Sequence, residues 1–161
     1  MDASIPSHVV HTLRIELLLE LVLAVVLGGL IGFEREWKNK PAGLRTNILI
    51  CMSAVLFTEI SVRAGIAGGD PGRIAAQILT GVGFLGAGTI LHHHGSVSGL
   101  TSAATIWMVT AIGVTLGWGA YLDAIAATVL VLVVLAGMQR AEDWIKRRRP
   151  APPEGEQAAS D

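Results

Sequence analysis

The chain has 161 residues, of which 52% are hydrophobic and 16% are charged, and its formal net charge is −1. Soluble domains are about one quarter charged, so this composition argues against an ordinary soluble globule. The near-zero net charge argues against nucleic-acid binding. The single cysteine excludes an internal disulfide.

The first apolar run, Ile15 to Phe33, follows a short polar tail predicted over 1–14. As a helix this run would reach about 28 Å, which is enough to cross the hydrocarbon of a bilayer. No Lys or Arg lies within the first dozen residues. The run therefore lacks the basic start of a cleaved signal peptide, and we expect it to be retained.

Four more apolar runs are predicted as helices: Thr46 to Ile66, Arg73 to Leu91, Gly99 to Leu116 and Tyr121 to Gln139. A loop, His92 to Ser98, separates the third run from the fourth. No Asp, Glu, Lys or Arg occurs from Ile74 to Leu122, and an uncharged surface of that length is favourable in a bilayer. We therefore predict an all-α, polytopic membrane helix bundle of about five transmembrane helices over 15–140. A basic and then disordered tail is predicted over 141–161.

The distribution of Lys and Arg predicts the orientation. With five spans, the connections after the first and third runs share a side with the C-terminal flank. That side carries nine Lys and Arg and the other side three, so the positive-inside rule makes the first side cytoplasmic. Trp37 and Trp144 then fall at the inner interface, and Trp118 and Tyr121 at the outer one. We predict the N-terminus outside and the C-terminus inside.

The third run contains a glycine-rich segment, GVGFLGAG, which starts at Gly81. It matches G-x-G-x-x-G, but the strand and the charged helix of a dinucleotide site are missing. Two interpretations remain. The glycines let helices pack closely, or they break the helix so that its freed backbone groups line a polar site. Close packing is predicted at Gly28, Gly32, Gly81, Gly83, Gly86 and Gly88.

Ionisable residues cluster around the connection between the second and third runs. Glu59 is expected to face the bundle and to pair with Arg63 or Arg73. The pair either locks two helices together or forms a binding or conduction site for a cation or a partner's charge. Asp70 is predicted to cap the third helix, and as a lone carboxylate it is a weak ligand for a divalent ion. In the first run, Glu16 and Glu20 lie one helical turn apart on one face.

Trp107, near the middle of the fourth run, is predicted to fill the core, with its indole N–H bonded to Gln77 or Thr105. The chain shows no nucleophile with a paired base, no spaced set of metal ligands and no phosphate-cradling loop followed by Lys. We therefore expect no enzyme activity, no metal site and no cofactor.

Five segments occur in order: GGLIGFERE from Gly28, AGLRTN from Ala42, DPGRIAAQ from Asp70, GVGFLGAG from Gly81 and GLTSAATIW from Gly99. Together they closely resemble the MgtC/SapB family of bacterial inner-membrane proteins. The resemblance implies a small multi-pass protein linked to magnesium homeostasis, and in some members to host adaptation. It also implies action through contacts with other membrane proteins. Asn47 stands where the family often has His. Virulence-associated members carry a soluble C-terminal domain, and we expect a short member without it.

The resemblance also carries over a set of polar positions. Together with Glu59, which comes from the charge pattern, they form the candidate functional polar motif: Glu34, Arg35, Arg45, Thr46, Asp70, Arg73, Gln77, Thr101, Thr105 and Trp107. The first hypothesis is an inner-membrane regulatory protein tied to magnesium or ion homeostasis. It would act on other membrane proteins or on a second copy of itself. The second is a small oligomeric transporter or ion-conducting protein that uses Glu59, Asp70 and Arg73. The expected partners are the bilayer and these proteins, and no nucleic acid.

Overall fold

The computed structural model describes residues 7–66, 68–93 and 96–148, with side chains described over 15–66, 68–91 and 97–138. The elements follow the chain as α1 (Ser7–Trp37), α2 (Leu44–Ile66), α3 (Arg73–Ala87), β1 (Leu91–His93), β2 (Ser96–Ser98), α4 (Leu100–Gly117) and α5 (Tyr121–Arg148). The prediction of an all-α fold is confirmed. The predicted loop after the third run is instead a small antiparallel hairpin, with Leu91 opposite Ser98.

Two helices are longer than the hydropathy pattern predicts. α1 begins at Ser7, inside the predicted tail 1–14, because helical hydrogen bonds are local and no Gly or Pro lies between Ser7 and Gly28. α5 continues to Arg148, inside the predicted tail 141–161. Pro150 follows closely, and a proline disfavours the helical conformation in the residue before it. The disorder predicted after Arg149 lies outside the described residues.

Four helices are long and apolar enough to cross a membrane: Ile15–Trp37, Leu44–Ile66, Leu100–Gly117 and Tyr121–Met138. α3 was predicted to continue to Leu91, but it ends at Ala87 and has 15 residues. It is therefore about 22 Å long, less than the roughly 30 Å of a hydrocarbon core. The helix ends in tight turns, in which the amide of Thr89 bonds to the carbonyl of Gly86 at 3.0 Å. Of the about five predicted spans, four are thus helices long and apolar enough to cross a membrane, and the third is a shorter apolar helix.

α1 and α2 pack closely in opposite directions. A Cβ at Gly28 would lie 2.9 Å from the Cβ of Cys51, and a Cβ at Gly32 would lie 2.8 Å from the Cα of Leu44. Both distances are shorter than real Cβ contacts, so glycine is needed at both positions for the backbones to approach this far. The later residue of α1 faces the earlier residue of α2, which shows that the helices are antiparallel.

α2 and α4 pack closely in the same direction. A Cβ at Gly113 would lie 2.7 Å from the Cβ of Ala54, and one at Gly117 would lie 2.7 Å from the Cβ of Thr58. Because the two helices are parallel, α3 and the hairpin return the chain from one end of the bundle to the other. We call the end that holds the α1–α2 turn and the start of α4 the basic end.

Both the core and the outer surface are apolar. The buried cluster joins α1, α2, α4 and α5 through Ala24, Leu27, Ile31, Cys51, Val55, Val109, Ile112, Leu116, Ala124 and Val131. Outward-facing residues include Phe84, which is 83% exposed, and Leu122, which is 82% exposed. So much outward apolar surface is unfavourable in water and favourable in hydrocarbon. The structure is that of a membrane protein.

Candidate functional site

Three charged residues form a network at the basic end, where α1 finishes. Glu34 accepts a hydrogen bond from Nε of Arg35 at 2.5 Å and pairs with Nζ of Lys38 at 2.6 Å. The Lys38 ammonium also donates to the carbonyl of Leu135 at 3.3 Å, which ties α1 to α5. Glu34 and Lys38 meet because residues four apart share a helix face. One carboxylate therefore serves two cations, and the network keeps a net positive charge.

The turn between α1 and α2 is held by side chains. Glu36 accepts a hydrogen bond from the amide of Leu44 at 2.8 Å, which satisfies a donor at the start of α2. The side-chain amide of Asn47 donates to the carbonyls of Ala42 and Gly43 at 2.5 and 2.9 Å. Asn47 is fully buried. At the position where the resemblance leads one to expect His, the structure thus places an amide that braces this turn.

A cavity of about 520 Å³ opens beside this network. It is lined by Arg35, Asn39, Lys40, Pro41, Ser98, Gly99, Thr101, Ser102, Val134, Leu135 and Met138. The fold therefore brings together two residues of the predicted polar motif, Arg35 and Thr101, that are far apart in sequence. Arg45 and Thr46, also in the motif, are exposed in the first turn of α2 and are not among the lining residues.

A second polar group lies at the opposite end, and its key residue was not singled out as a site from the sequence. Glu20 is only 3% exposed and accepts a hydrogen bond from the Tyr121 hydroxyl at 3.3 Å. Its other oxygen, Oε2, has no hydrogen-bond partner among the described residues. Its charged neighbours are Glu16, Glu59 and Arg63. The sequence signal that could have identified this site is the pair Glu16 and Glu20, which lie one helical turn apart within an apolar run.

The structure does not unite the predicted cluster of Glu59, Asp70 and Arg73. Glu59 pairs with Arg63 at 2.8 Å, one of the two partners predicted. Asp70 and Arg73 are exposed, and neither makes an ion pair within the described part of the chain. Asp70 was predicted to cap α3. Instead its Oδ1 accepts from the amide of Gly72 at 2.8 Å, because the helix begins only at Arg73.

The start of α3 is tied to α2 by Ser61, which is fully buried. Its hydroxyl donates to the carbonyl of Pro71 and accepts from the amide of Ile74 at 3.3 Å. A hydroxyl can serve as donor and acceptor at once, so one side chain holds both sides of the connection. Sequence reasoning did not single out Ser61.

Trp107 is not the core residue that was predicted. It is 46% exposed, and among the described residues its indole has no hydrogen bond to Gln77 or Thr105. Thr105 instead donates to the carbonyl of Thr101 at 2.8 Å. α4 is apolar on all sides, so its sequence does not show which face meets the bundle. Gln77 lines an apolar cleft of about 530 Å³ between α2, α3 and α4.

The glycines of α3 differ in their surroundings. α3 is one continuous helix through Gly81, Gly83 and Gly86, so the segment is not the broken helix of the second interpretation. A Cβ at Gly86 would lie 3.7 Å from Ala103, an ordinary contact with α4. Cβ atoms at Gly81 and Gly83 would meet no atom within 4 Å, and one at Gly88 would meet only carbonyls of its own turn. A packing role for Gly81 and Gly83 would therefore need a second molecule.

No group of three or more His, Cys, Asp or Glu that could hold a metal ion is found among the residues described. The polar network and cavity at the basic end, with the buried Glu20 at the other, are the features to which a function can be tied.

Comparison with known proteins shows to which family the chain belongs. The model of the MgtC family matches residues 21–144, which include α2, α3 and α4 in full. The chain belongs to the MgtC family. This MgtC-family chain is 43% identical over 139 residues to protein MgtC of Salmonella choleraesuis, covering 86% of this chain and 59% of that relative.

Two other relatives show similar coverage. A protein of Escherichia coli named "Putative magnesium transporter YhiD" is 46% identical over 128 residues, or 74% of this chain and 59% of the relative. An uncharacterised protein of Haemophilus influenzae is 41% identical over 138 residues, which are 80% of this chain and 58% of the relative. The chain thus spans just under three fifths of the length of these curated relatives. No solved structure matches it significantly.

Proposed function

We propose that this MgtC-family protein is a multi-pass protein of the bacterial inner membrane that acts in magnesium homeostasis. It works as a regulator through contacts of its helices with other membrane proteins or with a second copy, and not as an enzyme. Family membership and the name of the Escherichia coli relative support the link to magnesium.

The open face of α3 is the observation that carries the regulatory role. This face carries Gly83, where an added Cβ would have no neighbour within 4 Å, and Phe84, which is 83% exposed. Gly81 lies about 200° around the helix from Gly83. It lines the apolar cleft of about 530 Å³ instead. Small residues allow a second helix to approach the backbone closely in a bilayer. This face therefore suits another transmembrane helix.

The charge distribution supports an orientation with the basic end in the cytoplasm. Arg35, Lys38, Lys40 and Arg45 all belong to this end, and Lys and Arg are retained on the cytoplasmic side. Trp37 at the end of α1 is 77% exposed, as an aromatic anchor at the membrane interface would be. A reporter fused to the C-terminus should be cytoplasmic, and a periplasmic reporter signal would refute this orientation.

The regulatory role is tested with Gly83→Leu. The position has free space around it, so the variant should fold, while the added side chain blocks close approach by another helix. We expect it to lose co-purification and cross-linking of its partner from native membranes, and to fail to restore growth of a deletion strain at low magnesium. Gly137→Leu is the matched control, because Gly137 on α5 also has no neighbour within 4 Å. Full partner recovery with Gly83→Leu would refute the proposal.

Transport is a second candidate function, and the buried Glu20 favours it. A carboxyl group at membrane depth with an unpartnered oxygen is costly and is often part of an ion or proton pathway. Five helices form a small bundle, so a transporter of this kind would be oligomeric. Magnesium or proton flux into proteoliposomes that falls in Glu20→Gln would support transport. Proteoliposomes without flux would exclude it.

A further inference from the structure

The cavity at the basic end is lined by positive charge. Arg35 and Lys40 line it, and no acidic residue is among its described lining residues. The negative charge of Glu34 is shared by Arg35 and Lys38, so the cations outnumber the nearby carboxylate. Glu36 is not a lining residue, and its carboxylate accepts from the amide at the start of α2.

Arg35 is unusual because its side chain is almost entirely buried. It is 3% exposed, and Nε is the only one of its nitrogens with a hydrogen bond to a described residue. The two terminal amino groups of the guanidinium thus lack acceptors in the described part of the chain, although the residue lines the cavity. These amino groups are not among the fully buried polar atoms without a partner, so they keep accessible surface while the rest of the side chain is buried. A guanidinium held in this way beside a cavity favours an anionic acceptor within it.

The start of α4 adds backbone donors to the same cavity. Its N-cap is Gly99, at φ 89°, and no side chain caps the helix. The first amide bonded within the helix is that of Ala103, which donates to the carbonyl of Gly99 at 2.9 Å. The amides of Thr101 and Ser102 therefore have no acceptor within the helix, and both residues line the cavity. Helix N-termini attract anions, and phosphate above all.

The remaining wall of the cavity is apolar and continues onto the lipid-facing surface. Val134, Leu135 and Met138 of α5 line it, and Val134 and Met138 are each 57% exposed. A phosphate seated among the donors would thus have apolar groups beside it at the membrane surface. This arrangement suits a phosphate that is attached to acyl chains, and it leaves room for a free phosphate as well.

We propose that the cavity at the basic end binds a phosphate group, held by the Arg35 guanidinium, the Lys40 ammonium and the first amides of α4. The phosphate belongs either to the headgroup of an anionic phospholipid or to inorganic phosphate. This site is distinct from the open face of α3, so it does not depend on the proposed partner contact.

The experiment uses the full chain in detergent and in nanodiscs. Native mass spectrometry in detergent measures retention of phosphatidylglycerol against phosphatidylcholine, and calorimetry in phosphatidylcholine nanodiscs measures binding of inorganic phosphate. Lys40→Gln removes an exposed cation from the cavity wall and should fold. Arg45→Gln is the matched control, because it removes one positive charge at the same end outside the cavity. Arg35→Lys keeps the positive charge but removes the planar guanidinium, which can donate two parallel hydrogen bonds to one phosphate.

We expect the wild-type protein to prefer phosphatidylglycerol. Lys40→Gln should weaken that preference about fivefold, the usual effect of one cation near an anionic headgroup. Arg35→Lys should weaken it at least as much, and Arg45→Gln should leave it unchanged. Phosphate binding in nanodiscs that depends on Lys40, without a preference among lipids, would support the same site with free phosphate as its ligand. Equal losses in Lys40→Gln and Arg45→Gln would overturn the proposal, as would binding of neither ligand.

Discussion

Gly113 on α4 offers a direct test of how tightly α2 and α4 pack. An added Cβ would lie 2.5 Å from the carbonyl oxygen of Cys51 and 2.7 Å from the Cβ of Ala54, whereas ordinary contacts begin at 3.4 Å. In Gly113→Ala the two helices must separate by most of an ångström, because a backbone carbonyl cannot move aside as the end of a flexible side chain can. Overpacking of this kind costs about 1–3 kcal/mol.

The comparison with Gly137→Ala isolates this cost. Replacing glycine by alanine within a helix stabilises it by about 1 kcal/mol, and this gain applies to both variants. An added Cβ at Gly137 meets no atom within 4 Å. The difference in unfolding free energy between the two variants is therefore the overpacking cost alone. For a chain of this size it corresponds to a difference in Tm of roughly 2–12 °C.

The single cysteine supplies the assay. Cys51 is fully buried and lies at the contact that Gly113→Ala would force apart. A fluorophore that becomes fluorescent on reaction with thiols reports the temperature at which this residue becomes accessible in detergent. Gly113→Ala should label at a lower temperature than the wild type, and Gly137→Ala at the same or a higher one. If Gly113→Ala melts as high as Gly137→Ala, the close packing of α2 on α4 is not present in the protein.

Two further predictions use the same melting assay. Asn47→Ala should lower the unfolding free energy by about 1–3 kcal/mol, because it leaves two carbonyls of the α1–α2 turn without their donor. The conservative variant Asn47→Gln should recover part of this loss, and an unchanged Tm in Asn47→Ala would contradict the bracing role. Tyr121→Phe should cost about 1–3 kcal/mol, because both oxygens of the buried Glu20 then lack a partner. In a Glu20→Leu background the same change should cost little, and equal costs in both backgrounds would show that the two side chains are not coupled.

The polar groups at the two ends of the bundle differ in their surroundings. At the basic end, charges are shared among neighbours and border a cavity, so they can exchange partners with a ligand. At the opposite end Glu20 is buried against Tyr121, and the Glu59–Arg63 pair is a local contact four residues apart on one helix. A ligand at the basic end and a charge change at Glu20 should therefore act on separate parts of the protein.

The sequence alone determined that this is a helical membrane protein of the MgtC family. Apolar runs of bilayer length and helical hydrogen bonds are local properties, and the ordered motifs identify the family without a structure. The ion pair of Glu59 with Arg63 was also within reach, because residues four apart share a helix face. The end of the third helix could not be predicted from the sequence, because Gly88 to Leu91 are as free of charge as the helix that precedes them.

Only the tertiary structure decided which apolar residues meet other helices and which meet lipid. Hydrocarbon accepts the same side chains as a protein core, so a helix such as α4 shows no periodic pattern that marks its buried face. For this reason Trp107 is half exposed beside Gly86 of α3 although it was predicted to fill the core, and Gly113 packs tightly while Gly83 is open. The meeting of Arg35 with the start of α4 likewise depends on how three helices and a hairpin are arranged around one cavity.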